Sequence, residues 1–118
     1  MRVVKKGQAE KGCTVVYIGR PSVLGNPFVI GRDGDRAAVV TRYHQWLREQ
    51  WVARGPVRAE LEALAARVVS GERLAFECWC AAKPRAPYAI ASATQQADAC
   101  HGDVVAHAVS QLIKKGGA

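Results

Sequence analysis

Apolar and polar positions recur with readable periods along most of the chain. In "TVVYIG" (14–19), β-branched and aromatic residues run up to a glycine, the pattern of a strand. "RLAFECWC" (73–80) predicts a second strand, and "MRVVKKG" a shorter one at the start, with "QAEKG" as its turn. Between the first two, Val39, Val40, Tyr43, Trp46, Leu47 and Trp51 recur at three- and four-residue steps. That spacing predicts a helix with one buried face, capped by Asp33 or Asp35 and running to about Trp51. "ARGP" ends it, and Pro56 suits the first turn of a second helix over about 56–69. Val57, Leu61, Leu64, Ala65 and Val68 form its stripe, and Gly71 closes it. A third helix begins near Cys100–Asp103, turns Val105, Ala108, Val109, Leu112 and Ile113 inward, and ends on Lys114 and Lys115, which oppose the negative end of its dipole.

Two stretches break the periodicity. "RPSVLGNPF" (20–28) holds two prolines, a glycine and an asparagine, and reads as an ordered loop. Residues 81–99 read as a long inserted loop with Pro84 and Pro87, and a helical turn is expected around 94–99. Strands separated by helices predict an α/β fold: a small, mostly parallel, Rossmann-like sheet with three main helices and right-handed crossovers. At 118 residues the chain makes one domain, 1–118, with a single core. No apolar run is long enough for a membrane span, and the N-terminus has no signal-peptide stretch, so a cytoplasmic protein is expected. In that compartment the four cysteines, Cys13, Cys78, Cys80 and Cys100, read as thiols or metal ligands rather than disulfides.

Parallel sheets place ligands beyond the carboxyl ends of their strands, and both unusual loops begin there. On the first, Gly19 allows a tight exit from the strand, Arg20 offers a forked donor for phosphate or carboxylate, and Ser22 a hydroxyl. Gly25, Asn26 and Pro27 make a turn with exposed amides. Gly19, Arg20, Ser22, Gly25 and Asn26 are therefore candidates for binding an anion, although no phosphate-loop fingerprint is matched. The competing reading is a rigid turn in which Arg20 and Asn26 only pin backbone. Arg32 is a second rim candidate or a solvated loop charge.

On the second rim, strand alternation points Cys78 and Cys80 to one face and Trp79 to the other. Cys100 and His101 arrive at a helix start, where free amides favour an anion or a thiolate. Cys78, Cys80, Cys100 and His101 together form a regular zinc set, though C-x-C is tighter than the common C-x2-C spacing. Alternatively, Cys100 is a low-pKa nucleophile assisted by His101 or Asp103, which makes those three the catalytic candidates. The third option is that the cysteines are small core residues and His101 caps the helix. Tyr43, Trp46 and Trp51 read as core, and His44 and His107 as lone surface histidines.

The net charge of +7 attracts phosphate, in nucleic acid or in nucleotides, but the basic residues are scattered and no aromatic ladder accompanies them. The paired motifs "YIGRPSVLGNPFVIG" and "LAFECWCAAKP…ACHGDVV" resemble a bacterial and phage family, domain of unknown function 4326, over residues 14–113. The resemblance carries over Arg20, Ser22, Gly25, Asn26 and Pro27 from its first motif, and Cys78, Cys80, Cys100, His101 and Asp103 from its second. It supplies no reaction. The chain departs from the pattern in the long "AAKPRAPYAIASATQQADA" between the cysteine motifs, and in Ala82, where a proline is common. The expected ligand is phosphate-bearing: a nucleotide, nucleoside derivative or nucleic-acid end held at loops 19–28 and 80–103, with zinc- or thiol-dependent chemistry. The alternative is a non-catalytic, zinc-stabilised module that binds nucleic acid or protein.

Overall fold

Residues 1–79 and 84–116 are described by the structure, a computed structural model. Three strands, β1 (Arg2–Lys5), β2 (Thr14–Tyr17) and β3 (Leu74–Cys78), form one sheet in the order β1-β3-β2, and both pairings are parallel. The later strand occupies the centre because it alone is buried along its whole length. Such a strand reads as a continuous apolar run, as "LAFEC" does up to its one acidic residue.

Register sorts the side chains by face. Val3, Phe76 and Val16 stand abreast across the three strands and join the main core. Val4, Glu77 and Tyr17 stand abreast on the alternate face. Glu77 is buried, and its carboxylate accepts the Gly7 N–H at 2.9 Å and pairs with Lys6 at 3.4 Å. The central strand thereby holds the connection 6–13 that carries the chain from β1 past β3 to β2.

The helices follow the periodic stripes. Helix α1 (Arg36–Ala53) takes Asp35 as its cap, the side chain accepting from Ala38 N–H, and ends on Arg54 in the left-handed conformation. Helix α2 (Pro56–Val69) starts on its proline, and Gly71 follows at φ +105°. The short α3 spans Ile90–Ala93, and α4 spans His101–Gly116. Helix α4 packs on β3 and β1 and also meets α1 and α2, so its first turn lies at the centre of the assembly. There Gly102 fits closely: a Cβ on it would lie 3.1 Å from Val3 Cγ1 and 3.3 Å from Ile18 Cδ1.

The fold is α/β with a parallel three-stranded sheet and three main helices. One expectation is corrected: the helical turn in the long loop lies at Ile90–Ala93, whereas 94–98 form successive turns. Ile90 packs against the core and Ala93 is fully buried, while "TQQAD" has no apolar side to offer. No helix among the described residues is long and apolar enough to cross a membrane.

Candidate metal and ligand site

At the carboxyl end of β3, Cys78 meets the start of α4. Cys78 Sγ and Cys100 Sγ lie 2.9 Å apart, and Cys100 Sγ is 3.7 Å from His101 Nδ1. The three donor atoms fall within 4.8 Å of one another. All three residues are buried, at 0%, 1% and 4% exposure. Such a set can hold a metal ion. Cys80, the fourth expected ligand, lies outside the described residues. Cys13 sits apart on the connection between β1 and β2.

The tautomer of His101 follows from one contact. Its Nε2 is 2.8 Å from the carbonyl oxygen of Ile18, which can only accept, so Nε2 carries the hydrogen. Nδ1 is then the lone-pair nitrogen, and it is the one beside the sulfurs. Burial holds His101 below the ordinary imidazole range; Cys78 and the Ile18 carbonyl oppose that shift, and the Arg20 charge adds to it. The ring also meets Tyr43 edge-on, centroids 5.0 Å apart, and the Tyr43 hydroxyl donates to Leu24 O at 2.7 Å. Tyr43 therefore braces the histidine and the 20–28 loop together.

Cys100 precedes α4 at the capping position. Gly102 N–H donates to its sulfur at 3.3 Å, and its own N–H donates to Asp103 Oδ2 at 3.0 Å. The sulfur and the carboxylate thus cap the helix start from its two sides, one taking the Gly102 N–H and the other the Cys100 N–H. Asp103 is fully buried and holds more than the cap. Arg85 donates to its two oxygens at 2.6 and 2.8 Å, and Tyr88 N–H donates to Oδ1 at 2.9 Å. The carboxylate expected to assist catalysis is thus engaged in tying the 84–99 segment to the helix start.

Arg85 is a residue that motif reading missed. Its backbone pairs with Val3 as an antiparallel bridge, and its guanidinium lies 3.8 Å over the Tyr88 ring. The Tyr88 hydroxyl in turn donates to Asp98 at 2.6 Å. The only local hint was an arginine between two prolines, Pro84 and Pro87.

A cavity of about 300 Å³ opens on the cluster, with Cys78, Cys100 and His101 in its wall. Gly19, Arg20 and Asn26 line it from the first loop, so the structure brings these six sequence candidates to one place. Gly19 has no room for a side chain, since a Cβ would overlap the Tyr17 ring. Arg20 is exposed, and no described residue hydrogen-bonds its guanidinium. Arg36, which the sequence reading passed over, also lines the cavity, and its Nη1 donates to Ala99 O at 2.9 Å.

The remaining candidates play other parts. Asn26 lines the cavity but pins backbone, accepting from Phe28 N–H at 2.9 Å and donating to Val39 O at 3.4 Å. Gly25 lies against Arg20, and Ser22 Oγ is buried with no hydrogen-bond partner among the described residues; neither lines the cavity. Pro27 and Arg32 belong to the loop's internal bracing, for Arg32 donates to Pro27 O at 3.1 Å and pairs with Asp33 at 2.9 Å. His44 and His107 are not lone: their rings meet edge-on, centroids 6.2 Å apart, beside a separate groove.

No curated protein and no solved structure matches the chain. The model of the domain of unknown function DUF4326 matches residues 1–111, nearly the whole length, and the chain belongs to that family.

Proposed function

We propose that the chain binds a phosphate-bearing ligand (a nucleotide, nucleoside derivative or nucleic-acid end) in this cavity, with a zinc ion held at its wall by Cys78, Cys100 and His101. The observation that carries the reading is the convergence of two thiols and the His101 Nδ1 within 4.8 Å on a cavity that Arg20 and Arg36 also line. Two sulfurs and an imidazole nitrogen are a donor set suited to zinc, and softer than calcium or magnesium take up. The Nε2–H bond to Ile18 O is the outer contact that fixes a metal-ligating histidine in one tautomer. Three protein donors beside a cavity leave room for a fourth from Cys80 or from the ligand. Two thiolates would balance the charge of a zinc ion, so the attraction for phosphate comes from Arg20 and Arg36 on the cavity wall.

The Gly102 N–H on the Cys100 sulfur supports a second reading, in which that thiol reacts as a helix-start thiolate. The near-complete burial of the donors supports a third, a structural zinc in a module that binds nucleic acid or protein without catalysis.

Elemental mass spectrometry and thiol titration on the same tag-free protein test the assignment. The expected result is near-stoichiometric zinc, shielded thiols, and loss of zinc in Cys100→Ser and His101→Ala. Metal-free protein with freely alkylated Cys100 would replace the zinc reading with the thiol one. If Cys78→Ser unfolds the chain and Arg20→Ala leaves binding of phosphate compounds intact, the structural module holds instead.

A further inference from the structure

We infer that Trp79 is a stacking platform for a nucleobase, so that the cavity's ligand is a nucleotide unit rather than a sugar phosphate or a bare anion. The inference rests on the phosphate-binding reading of the same cavity and narrows it.

Trp79 directly follows the last residue of β3. Its neighbour Cys78 is fully buried in the cluster, yet Trp79 itself is 64% exposed. An indole that no described residue covers is an unusual use of the largest apolar side chain. Tryptophan combines a broad flat face with low side-chain entropy, and is spent on surfaces where something flat docks.

Its surroundings say what. Trp79 lines the cavity together with Tyr17 and Phe28, and the half-exposed Ile30 stands at the same opening. The same small volume carries the Arg20 and Arg36 guanidinium groups. Aromatic faces and cations thus sit within one molecule's reach of each other. A sugar phosphate would use the cations and leave the aromatic residues wet, and an apolar ligand would do the reverse. A nucleotide uses both, because its base is a flat π-surface and its phosphate an anion. A volume of about 300 Å³ lies at the small end of ligand sites, which suits one nucleotide and not a run of them. That unit can be a free nucleotide or the phosphorylated end of a strand.

The strand geometry explains how the two chemistries come together. Cys78 ends β3 and Trp79 follows it in the chain, and both line the cavity, so the metal-ligand candidate and the aromatic platform stand at one strand end. Tyr17 belongs to the adjacent β2 and stands abreast of Glu77 on the alternate face. Arg20 leaves the same strand three residues later. The carboxyl ends of β2 and β3, the loop after β2 and the start of α1 thus supply the aromatic and the cationic contacts.

Calorimetric titration of the full chain compares adenosine and cytidine 5′-monophosphate with ribose 5-phosphate and inorganic phosphate, in the native protein, Trp79→Phe and Trp79→Ala. At least one nucleotide is expected to bind more tightly than ribose 5-phosphate by roughly 5- to 150-fold, the range of a single base stacked on an aromatic ring. Trp79→Ala is expected to erase that advantage while leaving ribose 5-phosphate binding and the melting temperature unchanged, and Trp79→Phe to retain most of it. Equal affinity for ribose 5-phosphate and both nucleotides would overturn the inference and leave phosphate binding standing. So would unaltered nucleotide binding by Trp79→Ala. No binding of any of the four compounds would overturn the phosphate reading itself, and this inference with it. A 5′-phosphorylated trinucleotide in the same series separates the sources. Tighter binding than the monophosphates supports a strand end, and weaker binding supports a free nucleotide.

Discussion

Asp103 and Cys100 hold each other across the first turn of α4: the carboxylate accepts the cysteine's N–H at 3.0 Å, and the cysteine's carbonyl accepts the Asp103 N–H, also at 3.0 Å. Because the same carboxylate is clamped by Arg85, the position of the Cys100 sulfur depends on a residue 15 positions upstream in the long loop.

Breaking that clamp should be costly. Asp103 is fully buried and the Arg85 side chain nearly so, so Arg85→Ala strands a charge in the interior. A loss of about 3–5 kcal/mol is expected in urea unfolding, the range seen when one member of a buried pair is removed. Replacing both, in Arg85→Met with Asp103→Asn, should cost less than the sum of the two single changes. Additive costs would show that the pair is not coupled.

Tyr43→Phe keeps the ring against His101 and removes only the hydroxyl that holds Leu24 O. The buried carbonyl loses its partner, at an expected cost of about 1–3 kcal/mol. Hydrogen exchange should quicken selectively over residues 20–28. Uniform quickening across the chain would mean that the bond supports global stability and not the loop.

Gly102→Ala tests the seat of α4 on the sheet. Helix propensity favours alanine by up to about 1 kcal/mol. The added Cβ, however, meets Val3 and Ile18, both fully buried and without room to retreat. Overpacking of this kind costs about 1–3 kcal/mol, so a lower melting temperature is expected. A higher one would show that the helix start can lift from β1.

The histidine pair sets a pH dependence. Burial, followed by the charges of His107 and Arg48, holds His44 below its ordinary value of 6.5. A base whose pKa is depressed by folding takes up its proton more readily in the unfolded chain. Its contribution to stability is therefore complete above about pH 6.5 and is lost as the pH falls through the folded value. His44→Gln should flatten stability below pH 6.5. His107→Gln should raise the His44 pKa in an NMR titration, by removing a like charge. An unchanged His44 titration in that variant would refute the coupling.

Much of this was legible because periodicity reports burial. Helix α2 lies at the residues its stripe marked, and the Asp35 cap and the strands at 14–17 and 74–78 fall within the expected stretches. The meeting of the 19–28 loop with Cys78 and His101 was legible from topology, since both leave the carboxyl ends of parallel strands. Arg85, Arg36 and the bracing role of Tyr43 were not. Each acts through a partner distant in sequence, and a single sequence shows residue types and spacing but not which distant residues meet. Tyr43 shows the difficulty well: its place in the core was correctly marked by its stripe, and nothing in the stripe reveals a hydroxyl aimed at a loop carbonyl. Asp103 is a further case: the sequence marks a carboxylate three residues after a helix-starting cysteine, and only the fold shows that Arg85 and Tyr88 engage it.

The central place of β3 governs the order in which the molecule can assemble. β1 and β2 do not pair with each other, and each must wait for a strand that comes after two whole helices. Parallel pairing across such separations is slow, because loop closure precedes any reward from the contacts. Helices α1 and α2, whose contacts are local, can form early and carry β3 back between the two waiting strands. Cys78 then reaches its position only as the sheet closes, and Cys100 only when α4 docks on it. The donor set is thus a late product of folding, and any ion or ligand it binds would act as a seal on the finished fold, not as a template for it.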